Sequence, residues 1–158
     1  MTKRPADLKA MLCFDIYATN LAFGRVYKPL LDPLGLTYPQ YLVLMTLWQG
    51  DNRTIGEIGA EVGLDSNTLT PLIKRLQTAG LVERTRDPKD ERRVRVTLTD
   101  KGSHLREDAR SIPDCVSRAV CLDRAEIDDL QQRLRGLRAS LMKAAADNDC
   151  ASPEEAAS

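Results

Sequence analysis

Gly80-Leu81-Val82-Glu83-Arg84-Thr85-Arg86-Asp87-Pro88-Lys89-Asp90-Glu91-Arg92-Arg93-Val94-Arg95-Val96-Thr97-Leu98 is the stretch that decides the fold class. Apolar and polar residues alternate from Val94 to Leu98, the period of a strand with one buried face, and Leu81 to Arg86 reads as its partner strand. Between them, Asp87-Pro88-Lys89-Asp90-Glu91 is charged and proline-bearing, which makes the whole a β-hairpin with a charged tip.

The residues before the hairpin read as two short helices. Thr54-x-x-Glu57 is a capping box for the first, which Gly63 stops; Asp65-Ser66 supply N-cap oxygens for the second, Asn67 to about Ala79, which Gly80 can close in the left-handed conformation. Two short helices across a tight glycine-containing turn form a helix-turn-helix, and the hairpin following it is a wing. Further upstream, Thr37-x-x-Gln40, with Pro39 in the first turn, opens a helix running through Trp48 to Gly50-Asp51-Asn52. Leu8, Leu12, Ile16, Phe23, Tyr27 and Leu31 recur at helical spacings, predicting a helix from about Leu8 that Pro29 and Asp32-Pro33-Leu34-Gly35 end.

Downstream, the pattern predicts a helix from Thr99 to near Ile112, a break or kink at Pro113 and a last helix opened by Asp123-x-x-Glu126. In that helix Ile127, Leu130, Leu134, Leu137 and Leu141 make an apolar seam suited to packing on another helix. The expected fold is mainly α with a small β-hairpin wing, in the order α-α-α-α-β-β-α-α. Residues 1–146 read as a single winged-helix domain and 147–158 as a disordered tail.

The 158 residues carry no net charge, but the charge is unevenly placed. From Ser66 to Thr97 eight basic residues face four acidic ones, a surplus of four; from His104 onward eight basic face eleven acidic, a deficit of three. The positive charge lies where a footprint on phosphate would need it. No apolar run approaches the roughly 18 residues of a membrane span, and Lys3, Arg4, Asp7 and Lys9 occupy the place of a signal core, so a cytoplasmic protein with no membrane partner is expected. Cys13, Cys115, Cys121 and Cys150 are widely spaced and read as thiols; with one histidine, His104, and no Cys-x-x-Cys, neither a metal site nor a cofactor is expected.

A recognition helix presents short polar side chains to base edges and positive ones to phosphate. Ser66, Asn67, Thr68, Thr70 and Pro71 occupy the first turns here, with Lys74 and Arg75 behind them, while Leu69, Leu72, Ile73 and Leu76 take the core face. The wing adds Arg84, Arg86, Arg92 and Arg93, and Asp90 is placed to orient a tip arginine for a narrow minor groove.

Gly80-Leu81-Val82-x-Arg84 followed by Asp87-x-x-Asp90-Glu91-Arg92-Arg93-Val94-x-Val96-x-Leu98-Thr99-x-x-Gly102 strongly resembles the MarR family of winged-helix transcriptional regulators, over approximately Leu8 to Leu141. The resemblance implies a repressor, not an enzyme, that binds palindromic double-stranded operator DNA as an intertwined homodimer. Dimerisation would use the helices at about 6–31 and 100–145, and the DNA-binding lobe would be about 37–99.

Cys13 sits among apolar residues, where a cysteine is ordinarily a small packing residue. Tyr17, Tyr27 and Tyr38 follow it by 4, 14 and 25 residues, Tyr17 on the same helical face. A phenol donating to sulfur favours the thiolate, the form that attacks a peroxide. With Tyr27-x-Pro29-Leu30-Leu31, Pro33 to Tyr41 and Leu64 to Leu72, these positions resemble the organic-hydroperoxide-sensing branch of the family. That resemblance implies Cys13 as the redox sensor, tyrosines holding it (some from the other subunit), and an organic hydroperoxide as effector. It also implies a second step, with either a low-molecular-weight thiol or a resolving cysteine, Cys121 before Cys115. Neither is a firm match, because Arg118 falls where the resolving cysteine is expected, and Cys150 reads as a tail thiol.

Two rivals stay open at this point. One is a family member released by a small phenolic ligand, with Cys13 incidental. The other is a thiol peroxidase using Cys13, against which stands the lack of a peroxiredoxin-like α/β pattern. His104 reads as a surface residue rather than an activator of Cys13.

Overall fold

The computed structural model describes residues 7–147, so Cys150 and all but the first residue of the expected tail lie outside the described residues. Among the described residues seven α-helices and three strands follow in the order α1 (Leu12–Leu31), α2 (Tyr38–Gln49), β1 (Arg53–Thr54), α3 (Ile55–Val62), α4 (Ser66–Thr78), β2 (Val82–Asp87), β3 (Asp90–Leu98), α5 (Asp100–Asp108), α6 (Ile112–Val120) and α7 (Arg124–Ala146). The chain is mainly α with a small antiparallel sheet, the winged helix-turn-helix class that the sequence predicts.

Capping chemistry sets most helix starts. Thr37 with Gln40, Thr54 with Glu57 and Asp123 with Glu126 each close a reciprocal box opening α2, α3 and α7. Asp65 alone caps α4, through a 2.7 Å bond from the Thr68 amide, so Ser66 is the first helical residue rather than a second cap. Between α3 and α4 the turn is tight: a Cβ on Gly59 would lie 2.7 Å from the Leu64 carbonyl oxygen.

Four details differ from the sequence reading. The first helix begins at Leu12; a single 3-10 turn, Leu8–Ala10, precedes it, and Met11 is extended between the two. Pro113 does not break a helix: α5 already ends at Asp108, and the proline sits in the first turn of α6, where its missing N–H costs nothing. The wing has a third strand, since Arg53 and Thr54 pair with Val96 and Arg95, giving the order β1-β3-β2. Finally, the hairpin tip narrows to Pro88-Lys89, with an irregularity between Arg86 and Asp87.

Two compact units divide after Val116. The core of the first is built from Leu31 of α1, Val43, Leu44 and Leu47 of α2, Ile58 of α3, Leu69, Ile73 and Leu76 of α4, and Val82 and Val96 of the sheet. In the second, α7 carries the expected seam, and Leu130, Leu134 and Leu141 are exposed in the single chain. On α1, Leu12, Ile16, Leu21 and Phe23 are likewise exposed. No helix among the described residues is long and apolar enough to cross a membrane.

Candidate functional site

The α4 helix separates its faces as expected: Leu69, Ile73 and Leu76 are fully buried, while Ser66, Asn67, Thr68, Pro71, Lys74 and Arg75 are exposed. Thr70 is half-buried and turns its hydroxyl back to donate to the Ser66 carbonyl at 2.7 Å. The Thr68 amide holds the Asp65 carboxyl below the usual carboxylate range, so the cap stays ionised at the positive end of the helix.

A groove of about 630 Å³ runs between this helix and the wing, with Ser66 and Thr70 on one wall and Arg92 and Arg93 on the other. Its floor is the start of α3, Ile55 and Gly56. Sequence reasoning missed these two residues, because only the pairing of β1 with β3 brings the α3 terminus beside the wing.

At the wing tip, Asp90 receives Arg92 through both oxygens, from Nε at 3.1 Å and Nη2 at 3.4 Å, and Arg93 Nε lies 3.6 Å away. The Arg92 side chain, then its backbone amide, hold the Asp90 carboxyl below its usual range. The Arg92 side chain is 91% exposed and that of Arg93 65%, so both guanidiniums project while tethered at one end. Arg86 is exposed as well. Arg84 is not: it is half-buried on the face of β2 that also carries Val82, and its Nε is buried without a hydrogen-bond partner among the described residues.

The base of the tip rests on Asp87, which is buried and accepts from the Lys89 amide and from Arg95 Nε, both at 2.8 Å. The Lys89 amide first, and Arg95 with it, hold this carboxyl below its ordinary value. A depressed folded-state value contributes stability above the unfolded value of about 3.9, and that contribution is lost as pH falls through the folded value. Asp87→Asn is therefore expected to melt below wild type at neutral pH, with the difference shrinking below about pH 4, as circular dichroism melts across pH would show.

Cys13 is exposed in the first turn of α1, and no hydrogen bond from the described residues of its own chain reaches its sulfur. Tyr17, one turn on, is exposed. Tyr27 and Tyr38 stand together, ring centroids 4.5 Å apart, with Tyr41 6.0 Å from Tyr27 and Trp48 6.2 Å from Tyr41. Burial first, then the Tyr38 and Tyr41 phenols and a side-chain hydrogen bond with Tyr38, push Tyr27 up to about 12, so it remains a protonated donor at neutral pH. Tyr41 is buried, consistent with a packing role, and Trp48 Nε1 donates to the Gly102 carbonyl at 2.9 Å. Fourteen helical residues separate Cys13 from Tyr27, about 21 Å along α1, so the sequence-predicted sensor residues do not converge within one chain.

Cys115 is half-buried in α6. Cys121 is exposed just past the end of that helix, in the left-handed region at φ 55, and its thiol donates to the Arg118 carbonyl at 3.3 Å. His104 is exposed, its Nδ1 2.6 Å from the Asp100 carbonyl oxygen. Among the described residues no group of metal-ligating side chains comes together.

Comparison with known proteins agrees with this geometry. The family described as transcriptional regulator SarA/Rot matches residues 25–109. The chain is 48% identical to the HTH-type transcriptional regulator TtmR of Methylorubrum extorquens over 80% of its own length and 67% of that protein. It is 42% identical to the organic hydroperoxide resistance transcriptional regulator of Bacillus subtilis, over 79% and 83% of the two chains. A structure of reduced AbfR of Staphylococcus epidermidis bound to DNA superposes with a TM-score of 0.71 at 37% identity, covering 85% of this chain and 94% of that one. AbfR has also been solved overoxidised on DNA (39% identity, TM-score 0.65, 82% and 95% covered) and with a disulfide formed (39%, 0.61, 82% and 91%). These relatives are regulators, and the thiol peroxidase alternative is set aside. With its helix-turn-helix, three-stranded wing and basic groove, the chain belongs to the SarA/Rot-type, MarR-like family of winged-helix, DNA-binding transcriptional regulators.

Proposed function

We propose that the protein is a cytoplasmic homodimeric repressor that binds a palindromic operator when Cys13 is reduced and releases it when an organic hydroperoxide oxidises Cys13. The observation that carries this reading is the pairing of half-buried Tyr27, whose phenol stays protonated, with exposed Tyr38, in a chain whose Cys13 lies on an exposed apolar face of α1. Since Tyr27 lies about 21 Å along the helix from Cys13, a pair of antiparallel α1 helices brings the tyrosines of one protomer to the cysteine of the other. The exposed apolar residues of α1 and the α7 seam supply the surface such a dimer buries. Similarity to the Bacillus regulator named for organic hydroperoxide resistance, and to AbfR, solved reduced and with a disulfide formed, supports the same reading.

In this chemistry the Cys13 thiolate attacks one peroxide oxygen, the O–O bond breaks, an alcohol leaves after taking a proton, and sulfenic acid remains. A second thiol then condenses with it, forming a disulfide and water. Either a small thiol or a cysteine of the partner serves; the exposure of Cys121 favours it over half-buried Cys115. A larger or cross-linked group at the dimer contact forces the α1 helices apart, which changes the spacing of the two recognition helices. Tyr27→Phe and Tyr38→Phe are expected to slow trapping of the Cys13 sulfenic acid by about fivefold, the worth of one hydrogen bond of about 1 kcal/mol, while the reduced proteins still bind DNA. Unchanged oxidation rates in both would remove the tyrosines from the sensor.

A second reading is favoured by one feature. A cavity of about 390 Å³ lies between α2 and the α5–α6 region of the first unit, with Tyr41, Trp48, Arg106 and Arg110 among its lining residues. Its aromatic walls and two arginines suit a small phenolic acid as effector. Operator release by such an acid, undiminished in Cys13→Ser, would support this reading.

A further inference from the structure

Arg95 does not project from the wing as Arg92 and Arg93 do. Its Nε donates to Oδ2 of buried Asp87 at 2.8 Å, and its Nη1 donates to the Asn52 carbonyl at 2.8 Å. The two acceptors lie far apart in sequence. Asp87 sits at the irregularity where β2 passes into the tip, and Asn52 sits in the turn leading into β1, in the left-handed region at φ 59. The same turn is tied to the far end of β3, where Asp51 Oδ1 accepts from the Leu98 amide at 2.9 Å. Arg53, next along, is ion-paired with Glu61 of α3. The base of the hairpin is thus held to the helix-turn-helix by the burial of Val82 and Val96, by short sheet pairing and by the Asp51–Leu98 bond, and its outer part by one guanidinium spanning it.

Beyond Asp87 the tip is a two-residue turn on a two-stranded ribbon, with nothing but its base to fix its direction. From Arg95 to Arg92 is three residues, about 10 Å of strand, so a rotation of about 10° at the base moves the Arg92 backbone about 2 Å. That is about a third of the width of a minor groove of about 6 Å.

We propose that Arg95 is a positioning residue for operator recognition: by bridging Asp87 to the Asn52 carbonyl it sets the angle of the wing, and so places Arg92 and Arg93 in the minor groove without touching DNA itself. The proposal rests on the wing being a DNA-contacting element. It requires arginine, because a planar guanidinium presents Nε and Nη1 to two separate acceptors, whereas a lysine ammonium keeps the charge but cannot hold both in the same geometry.

The test is a set of operator-binding titrations with the full chain. Arg95→Gln and Arg95→Lys are each made in the wild type and in an Arg92→Ala/Arg93→Ala background, with melting curves confirming that every variant is folded at the assay temperature. In the wild-type background each is expected to lose about tenfold in affinity, the usual scale of a remote positioning effect. Hydroxyl-radical protection should fade at the minor-groove flanks and persist over the central major groove. In the Arg92→Ala/Arg93→Ala background the same substitutions should cost nothing further. Equal losses in the two backgrounds would overturn the proposal. So would wild-type affinity in Arg95→Lys together with a salt slope in Arg95→Gln shallower by about 0.9 per lost contact, the mark of a direct phosphate contact. If Arg92→Ala/Arg93→Ala itself binds as wild type, the DNA-contacting wing is refuted and the role of Arg95 with it; a large loss there with additive Arg95 effects refutes Arg95 alone.

Discussion

Arg92→Ala/Arg93→Ala is expected to weaken operator binding about 10²- to 10³-fold, or roughly 3–4 kcal/mol, while leaving the melting temperature within a degree or two. Both guanidiniums project from the wing tip, anchored by Asp90, so they reach a groove with little conformational freedom left to lose. The proposed two-fold dimer would lose four arginines at once, and if each neutralises one phosphate, the slope of log affinity against log salt becomes shallower by about 3.6. The surrounding fold should be unaffected, because neither side chain contributes to the buried core. Anisotropy titrations of labelled operator across a salt series measure both quantities.

Gly102→Ala is expected to be the most damaging single methyl in the chain. A Cβ there would stand 2.0 Å from the Leu81 carbonyl oxygen and 2.9 Å from its carbon, both backbone atoms that cannot rotate away. The junction holds several elements together. The Thr99 amide donates to Leu81 at 3.1 Å, the Thr99 hydroxyl to the Gly80 carbonyl at 2.7 Å, Lys101 to the Ala79 carbonyl at 2.8 Å, and Trp48 to Gly102 itself. Separating them costs about 3 kcal/mol or more, the upper range for overpacking. For a chain of this size that lowers the melting temperature by roughly 6–12 °C. Gly56→Ala is the control: a Cβ there meets nothing within 4 Å, and the helix gains up to about 1 kcal/mol in propensity. Melting curves of the two variants should therefore move in opposite directions.

The helix-turn-helix and wing were legible in the sequence because their signals are local. A capping box such as Thr54 with Glu57, or a left-handed glycine such as Gly63 or Gly80, acts within a few residues and needs no tertiary context. The strand at Arg53-Thr54 gave no such signal: two residues have no period, and they become a strand only because β3 lies alongside. The break before α6 was misplaced onto Pro113 because a proline reads the same in sequence whether it stops a helix or occupies the first turn of one. Of the residues expected to face DNA, Ser66, Asn67, Thr68 and the tip arginines Arg92 and Arg93 are exposed on α4 and the wing, whereas Arg84 shares the strand face of Val82 and is half-buried. The proposed sensor was legible only as a set of residue types. Cys13, Tyr27 and Tyr38 are separated within a chain, and no periodicity encodes the approach of a second copy.

What unites these parts is a division of labour. The apolar faces of α1 and α7, exposed in one chain, are where two copies would meet, and α1 also carries the exposed Cys13 thiol. The groove between α4 and the wing is where the operator would lie. The measurement that tests their connection most directly is operator binding by purified protein, followed by anisotropy before and after one equivalent of cumene hydroperoxide, in wild type and Cys13→Ser. Oxidation is predicted to release the wild type and leave Cys13→Ser bound. Release of Cys13→Ser to the same extent, or a wild type that stays on its operator after Cys13 is oxidised, would contradict it.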